Sequence, residues 1–174
     1  GAIITNDNEL TKKMTMFARH GGTTKGEHII EGINSRMDGI QAAILSVKLK
    51  YLQQWTKSRQ KVAKSYLNKL EGIDGIVLPN INSNVEHVWH LFVIRLKNRD
   101  LVKTKLAERG VQTGIHYPIC LPLLKAYSRK NHSPNEFPIA YRNQGEILSL
   151  PLFPEMQEDE IDYVVENLIE SIEN

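Results

Sequence analysis

The chain has 174 residues, 41% hydrophobic and 24% charged, with 22 basic against 20 acidic side chains and a formal net charge of +2. That is ordinary globular composition, sufficient for one sizeable core or a core plus a fragment of another, and its interspersed charges exclude a nucleic-acid surface or a polybasic membrane anchor. The single Cys120 excludes an internal disulfide framework and fits a reducing compartment, no run of about 18 apolar residues offers a transmembrane span, and the N-terminus lacks a signal-peptide layout. A cytoplasmic protein is the expectation.

In chain order, Ala2-Ile3-Ile4-Thr5 reads as a short buried strand whose neighbours are not obvious in this chain. Asn6 to Glu9 reads as a turn plus helix cap, with Glu9 three residues after Asn6, and Leu10, Met14 and Phe17 mark one helical face. Arg19-His20-Gly21-Gly22-Thr23-Thr24-Lys25-Gly26 is glycine-rich but fails as a phosphate loop. Glu27-His28 stands where Lys and Ser/Thr are needed, and the loop follows a helix rather than a strand. A mobile or subunit-crossing loop is expected.

Gly32 to Ala43 carries an amide, a hydroxyl, a guanidinium and a carboxylate straight into an apolar helical seam of Ile40, Ile44, Val47, Tyr51, Trp55, Val62, Tyr66 and Leu70. The residue types alone suit either a solvated helix cap or a binding tip. Asp38 or Ser35 can cap the helix, with Gln41 completing a capping-box-like pair. The spacing predicts one long helix from near Met37 to Leu70, bent or shifted in face around Arg59 and ended by Glu71-Gly72. At that length it spans on the order of 50 Å, enough to connect two bodies.

Beyond it, Gly75 to Leu78 reads as a strand. His87 to Leu96 reads as a central strand with little polarity on either face. Asn98 is a candidate cap for a helix closed by Gly110, and Val111 to His116 is a further strand broken by Tyr117-Pro118. Leu121 to Tyr127 reads as a short helix, Arg129 to Pro134 as a polar loop and Ala140 to Leu148 as a helix. The last helix is the clearest. Ile161, Val164, Val165, Leu168, Ile169 and Ile172 recur at helical spacing behind an acidic first turn, Glu158-Asp159-Glu160. From about residue 56 onward the pattern is a compact α+β unit.

The six histidines do not form a metal site by spacing: His87 and His90 would face opposite sides of a strand, and no CxxC or HExxH occurs. Cys120 with His116 lacks a third orienting residue for nucleophilic work. Gly114-Ile115-His116-Tyr117-Pro118 ends a strand on an imidazole and a phenol, a placement that suits either a cleft or a satisfied polar terminus.

Several stretches, taken in order, resemble the DegT/DnrJ/EryC1/StrS sugar aminotransferases: Gly1 to Asp7; Arg19-His20-Gly21; Gly32 to Asp38 with Gln41-Ala42-Ala43; His90 to Val93; Gly114 to Pro118; and Leu148-Ser149-Leu150-Pro151. The resemblance runs the whole chain. It implies the C-terminal portion of an α/β, pyridoxal-phosphate (PLP)-dependent fold-type-I transferase. Residues 1–55 would be the end of the large PLP-binding domain with the start of the connecting helix, and residues 56–174 a small α+β domain.

By the same resemblance, the whole enzyme moves an amino group, commonly from glutamate, onto a keto nucleotide-sugar for surface polysaccharides, such as lipopolysaccharide, or for glycosylated metabolites. The residue matching Asn34 reaches a neighbouring subunit and bonds the PLP phosphate. Arg36 sits beside it toward the substrate, and His116 and Tyr117 line the sugar end. A homodimer is implied. The family's Schiff-base lysine, the aspartate pairing the pyridine nitrogen and the residue stacked on the ring all lie before the Gly-Ala-Ile-Ile-Thr strand. Lys25, Lys48 and the other lysines here do not match that lysine's context. The resemblance therefore implies no catalytic residue within this chain, an N-terminal half as partner, and no activity alone. The alternative is a non-catalytic dimerisation or sugar-nucleotide-binding module derived from that family.

Overall fold

The computed structural model describes residues 2–173; Gly1, the first residue of the expected strand motif, lies outside them. The chain divides into two compact units between Tyr51 and Leu52.

In the first unit, helix α1 (Asn8–Ala18) starts at Asp7, whose side chain accepts from the Leu10 amide at 2.9 Å. The cap is thus Asp7 and not Asn6, because the carboxylate reaches the free amide of the first turn. After a glycine-rich excursion, helix α2 (Gly39–Leu49) starts at Asp38, whose backbone amide donates to Gln41 Oε1 at 3.2 Å, the return half of a capping box. No residue of α2 is buried.

In the second unit, α3 (Leu52–Leu70) is followed by β1 (Ile76–Val77), β2 (Phe92–Leu96), α4 (Arg99–Glu108), α5 (Pro138–Asn143), β3 (Ile147–Leu150) and α6 (Glu158–Glu173). The strands form an antiparallel sheet in the order β1-β2-β3, with Ile76 opposite Leu96 and Phe92 opposite Leu150. Alternation along β2 sends Phe92, Ile94 and Leu96 into the core. They meet Val62, Tyr66 and Leu70 of α3 and Ile161, Val164, Val165 and Leu168 of α6. Each such side chain stabilises by roughly 1.5–3 kcal/mol before ordering entropy is counted.

The core's polar groups are tied off. Tyr66 Oη donates to Pro151 O at 2.9 Å. Burial, and secondarily the Glu160 charge, push the Tyr66 phenol far above its ordinary pKa, so it stays a donor. Arg99, with 8% of its side chain exposed, donates from Nε to Asp100 Oδ1 at 2.7 Å and from Nη1 to the carbonyls of Ile147 at 2.9 Å and Gln144 at 3.3 Å. Lys69 of α3 meets Asp162 at 2.6 Å and Glu158 at 3.2 Å on α6, and Ser65 Oγ donates to Glu158 at 2.6 Å.

Several expectations need correction. Ala2–Thr5 is neither a strand nor buried: Ile3 and Ile4 are 76% and 95% exposed, since among the described residues no strand pairs with them. The single long helix is two helices, interrupted at Lys50–Tyr51 and not near Arg59. There the Lys50 and Tyr51 amides turn to the carbonyls of Val47 and Lys48, a tighter i→i−3 pattern. The strand from His87 shrinks to Phe92–Leu96. Trp89 takes φ 52°, and its amide donates to His87 Nδ1 at 2.9 Å, a local turn that ladder pairing cannot contain.

Asn98 precedes α4 in the left-handed region without a side-chain cap bond. Val111–His116 is no strand; Gly114 alone pairs, as a bridge to Ser149. Leu121–Leu123 and Lys125–Lys130 are 3₁₀ turns. The helix expected over Ala140–Leu148 ends at Asn143, and Ile147–Leu150 is a strand, because β2 supplies its ladder partners.

Candidate functional site

The polar tip before α2 is set by a pinched loop. Arg19 and Asn34 form an antiparallel bridge. His20 and Ile33 extend it, with the His20 amide donating to Ile33 O at 3.0 Å and the Ile33 amide to Phe17 O at 2.7 Å. Gly21, at φ 91°, accepts from the amides of Ile29 at 2.8 Å and Ile30 at 3.2 Å. A Cβ on Gly21 would lie 1.6 Å from Ile30 O, and one on Gly32 would lie 2.2 Å from Gly21 N. Only glycines allow the two feet of the loop to touch. His28 Nδ1 and the His20 carbonyl, 2.8 Å apart, lace the loop further.

Directly opposed bridge residues share a face, so Arg19 and Asn34 belong together. Arg36 Nε donates to Asn34 Oδ1 at 3.0 Å. That bond orients the amide, with its oxygen toward Arg36 and its NH₂ the other way. Ser35, Arg36 and Met37 line two cavities of this unit. One, of about 460 Å³, is shared with Gln41, Ile44 and Leu45. The other, of about 1000 Å³, is shared with Arg19, Thr11 and Thr15. Pairing with Asn34 singles out Arg19; its Arg-His-Gly context in the sequence was visible, but its partner was not.

In the second unit, His116 and Tyr117 stand side by side at the end of the segment bridged to β3. Their rings are edge to face with centroids 5.7 Å apart, and Tyr117 is 70% exposed. The peptide between them is cis. His116 Nδ1 lies 2.9 Å from Ser149 Oγ, and Ser149 is buried on β3. The structure thus gathers Asn34 with Arg36 in one unit and His116 with Tyr117 in the other. Among the described residues, no helix is long and apolar enough to cross a membrane.

The profile of the DegT/DnrJ/EryC1/StrS aminotransferase family matches residues 1–169. The chain belongs to this family. Among DegT/DnrJ/EryC1/StrS relatives, the dTDP-3-amino-3,6-dideoxy-alpha-D-galactopyranose transaminase of Aneurinibacillus thermoaerophilus is 42% identical over 166 residues, 95% of this chain and 45% of that protein. The crystal structure of S. venezuelae DesV superposes with a TM-score of 0.87 at 33% identity, covering 98% of this chain and 46% of that one. NtdA from Bacillus subtilis, solved with bound PMP, gives 0.81 at 33% identity over 98% of this chain and 41% of that one. The chain thus spans about half the length of the curated relatives it matches. Its fold is α/β, of the PLP-dependent fold type I that these family structures share.

Proposed function

We propose that this chain is the C-terminal part of a PLP-dependent aminotransferase. The whole enzyme would transfer an amino group from glutamate to a keto nucleotide-sugar in the cytoplasm, for surface polysaccharide or aminosugar synthesis. Residues 1–55 end the large domain and residues 56–174 form the small one. The observation that carries this reading is the Arg36–Asn34 hydrogen bond at the tip of α2. With Oδ1 engaged by a guanidinium, the amide has two N–H donors left for an anion, which is what a cofactor phosphate requires.

The donor set therefore fits PLP: Asn34 would hold the phosphate of the cofactor in a homodimeric partner's site, and Arg36 would meet anionic or hydroxyl oxygens of the substrate. His116 and Tyr117 line the sugar end. When bound, PLP supplies the electron sink for amino transfer. The lysine that binds it covalently belongs to the N-terminal half, so this chain alone is inactive.

Treating the purified chain with PLP and borohydride tests this. The expected result is no stoichiometric lysine adduct from the chain alone, and an adduct on the other half once the two are combined. A stoichiometric adduct on the chain itself would overturn the reading. In the combined enzyme, His116→Ala and Tyr117→Phe are expected to raise KM for the nucleotide-sugar while leaving cofactor binding intact; Asn34→Ala is expected to weaken PMP retention. Were the chain a non-catalytic module, the native mass would be that of a 19.9 kDa species or its multiples, with no second polypeptide.

A further inference from the structure

His116 is exposed, but the groups that hold it are not. Ser149 is 4% exposed, and among the described residues its Oγ has a single hydrogen-bond partner, His116 Nδ1 at 2.9 Å. Ser149 itself is fixed from both sides. It sits opposite Val93 in the β2–β3 ladder, and its backbone exchanges two hydrogen bonds with Gly114, at 3.0 and 2.7 Å. The ring lies over Gly114 so closely that a Cβ there would sit 2.6 Å from His116 Cε1 and 3.2 Å from Nδ1. A methyl at this position requires the imidazole to shift from where it meets the serine.

A buried hydroxyl proton needs an acceptor, and leaving one unmade is costly. Among the described residues, the acceptor that Ser149 Oγ meets is Nδ1. If Nδ1 carried a proton, it would donate to Oγ and strand the hydroxyl hydrogen. We infer that Ser149 and Gly114 are positioning residues for His116: the serine hydroxyl donates to Nδ1 and the bare glycine admits the ring. The neutral imidazole is thereby locked as the Nε2–H tautomer, with that N–H free to donate to an oxygen of a bound ligand. Which oxygen it meets rests on the sugar-end role proposed above; the lock itself does not.

Nitrogen-15 NMR of the ring nitrogens in the full chain at neutral pH tests the lock without cofactor or turnover. The expected spectrum shows Nδ1 as an unprotonated acceptor and Nε2 as protonated, with the two shifts fully separated. Ser149→Ala should move both shifts toward each other as tautomers mix, Ser149→Thr should restore the separation, and Gly114→Ala should mimic Ser149→Ala. Wild-type shifts showing a protonated Nδ1 overturn the inference, and so does a folded Ser149→Ala chain with unmoved shifts. The wild-type spectrum decides alone if Ser149→Ala fails to fold. A change in KM with no change in tautomer, or the reverse, separates failure of the sugar-end role from failure of the lock.

Discussion

Helix α2 holds Ile40, Ile44, Leu45, Val47 and Leu49, each at least 49% exposed; α6 holds Ile161, Val164, Val165 and Leu168, none more than 6% exposed. Both are rich in branched aliphatic side chains. Burial follows from what stands opposite: α3 and α4 pack against α6, while no described residue of α2 is buried. Apolar content commits a helix to finding a partner, without naming it. The second unit carries its own core, and the first presents apolar surface and a polar tip.

The largest effect that could break this contrast is in the core. Phe92→Ala and Leu168→Ala, each at 0% exposure, are expected to cost about 3–5 kcal/mol in urea unfolding. Ile44→Ala, at 55% exposure, should stay within about 0.5 kcal/mol. A cost above about 2 kcal/mol at Ile44 would mean that α2 is packed in this chain after all. Next, Arg99→Met leaves the carbonyls of Gln144 and Ile147 without their donor, and the expected loss is about 1–3 kcal/mol. Hydrogen exchange gives the same contrast along the chain: amides of α3 after Val62 and of α6 should outlast those of α2.

The smallest effect is a pH signature at the α3–α6 seam. The Ser65 hydroxyl, and secondarily Lys69, hold Glu158 below its ordinary value of 4.5. A depressed carboxyl contributes stability above that value and loses it as pH falls through the folded pKa. The stability gap between wild type and Ser65→Ala should therefore be widest above pH 4.5 and close on further acidification. Lys69 behaves oppositely: its hydrogen bonds to Asp162 and then Glu158 raise it above 10.5. Its share is present below that value and lost as pH rises through the raised pKa. Equal gaps at all pH values would remove Glu158 from the seam.

Local patterns were legible and long-range pairing was not. The α6 register could be read from spacing alone, because six apolar residues repeat on one stripe. The capping of α2 by Asp38 and Gln41 was likewise within reach, since it spans three residues. Ile147 and Leu148 resembled the end of a helix until β2 offered a ladder, and Val111–His116 had strand-like residues but only one paired position. Asn34, Arg36, His116 and Tyr117 came from family resemblance and not from spacing. The bond between Asn34 and Arg36 is local, but Ser149 lies 33 residues from His116, beyond any periodicity argument.

The feet of the loop between Gly21 and Gly32 are riveted backbone to backbone, while its Gly26 turn, at φ 87°, faces open space with nothing within 4 Å of a would-be Cβ. Fixed feet with an open turn at Gly26 make that turn the place where added residues disturb least: closing a longer loop costs only about 0.6 kcal/mol per doubling in length. Residues grafted at Gly26 are expected to leave the Arg19–Asn34 bridge in place.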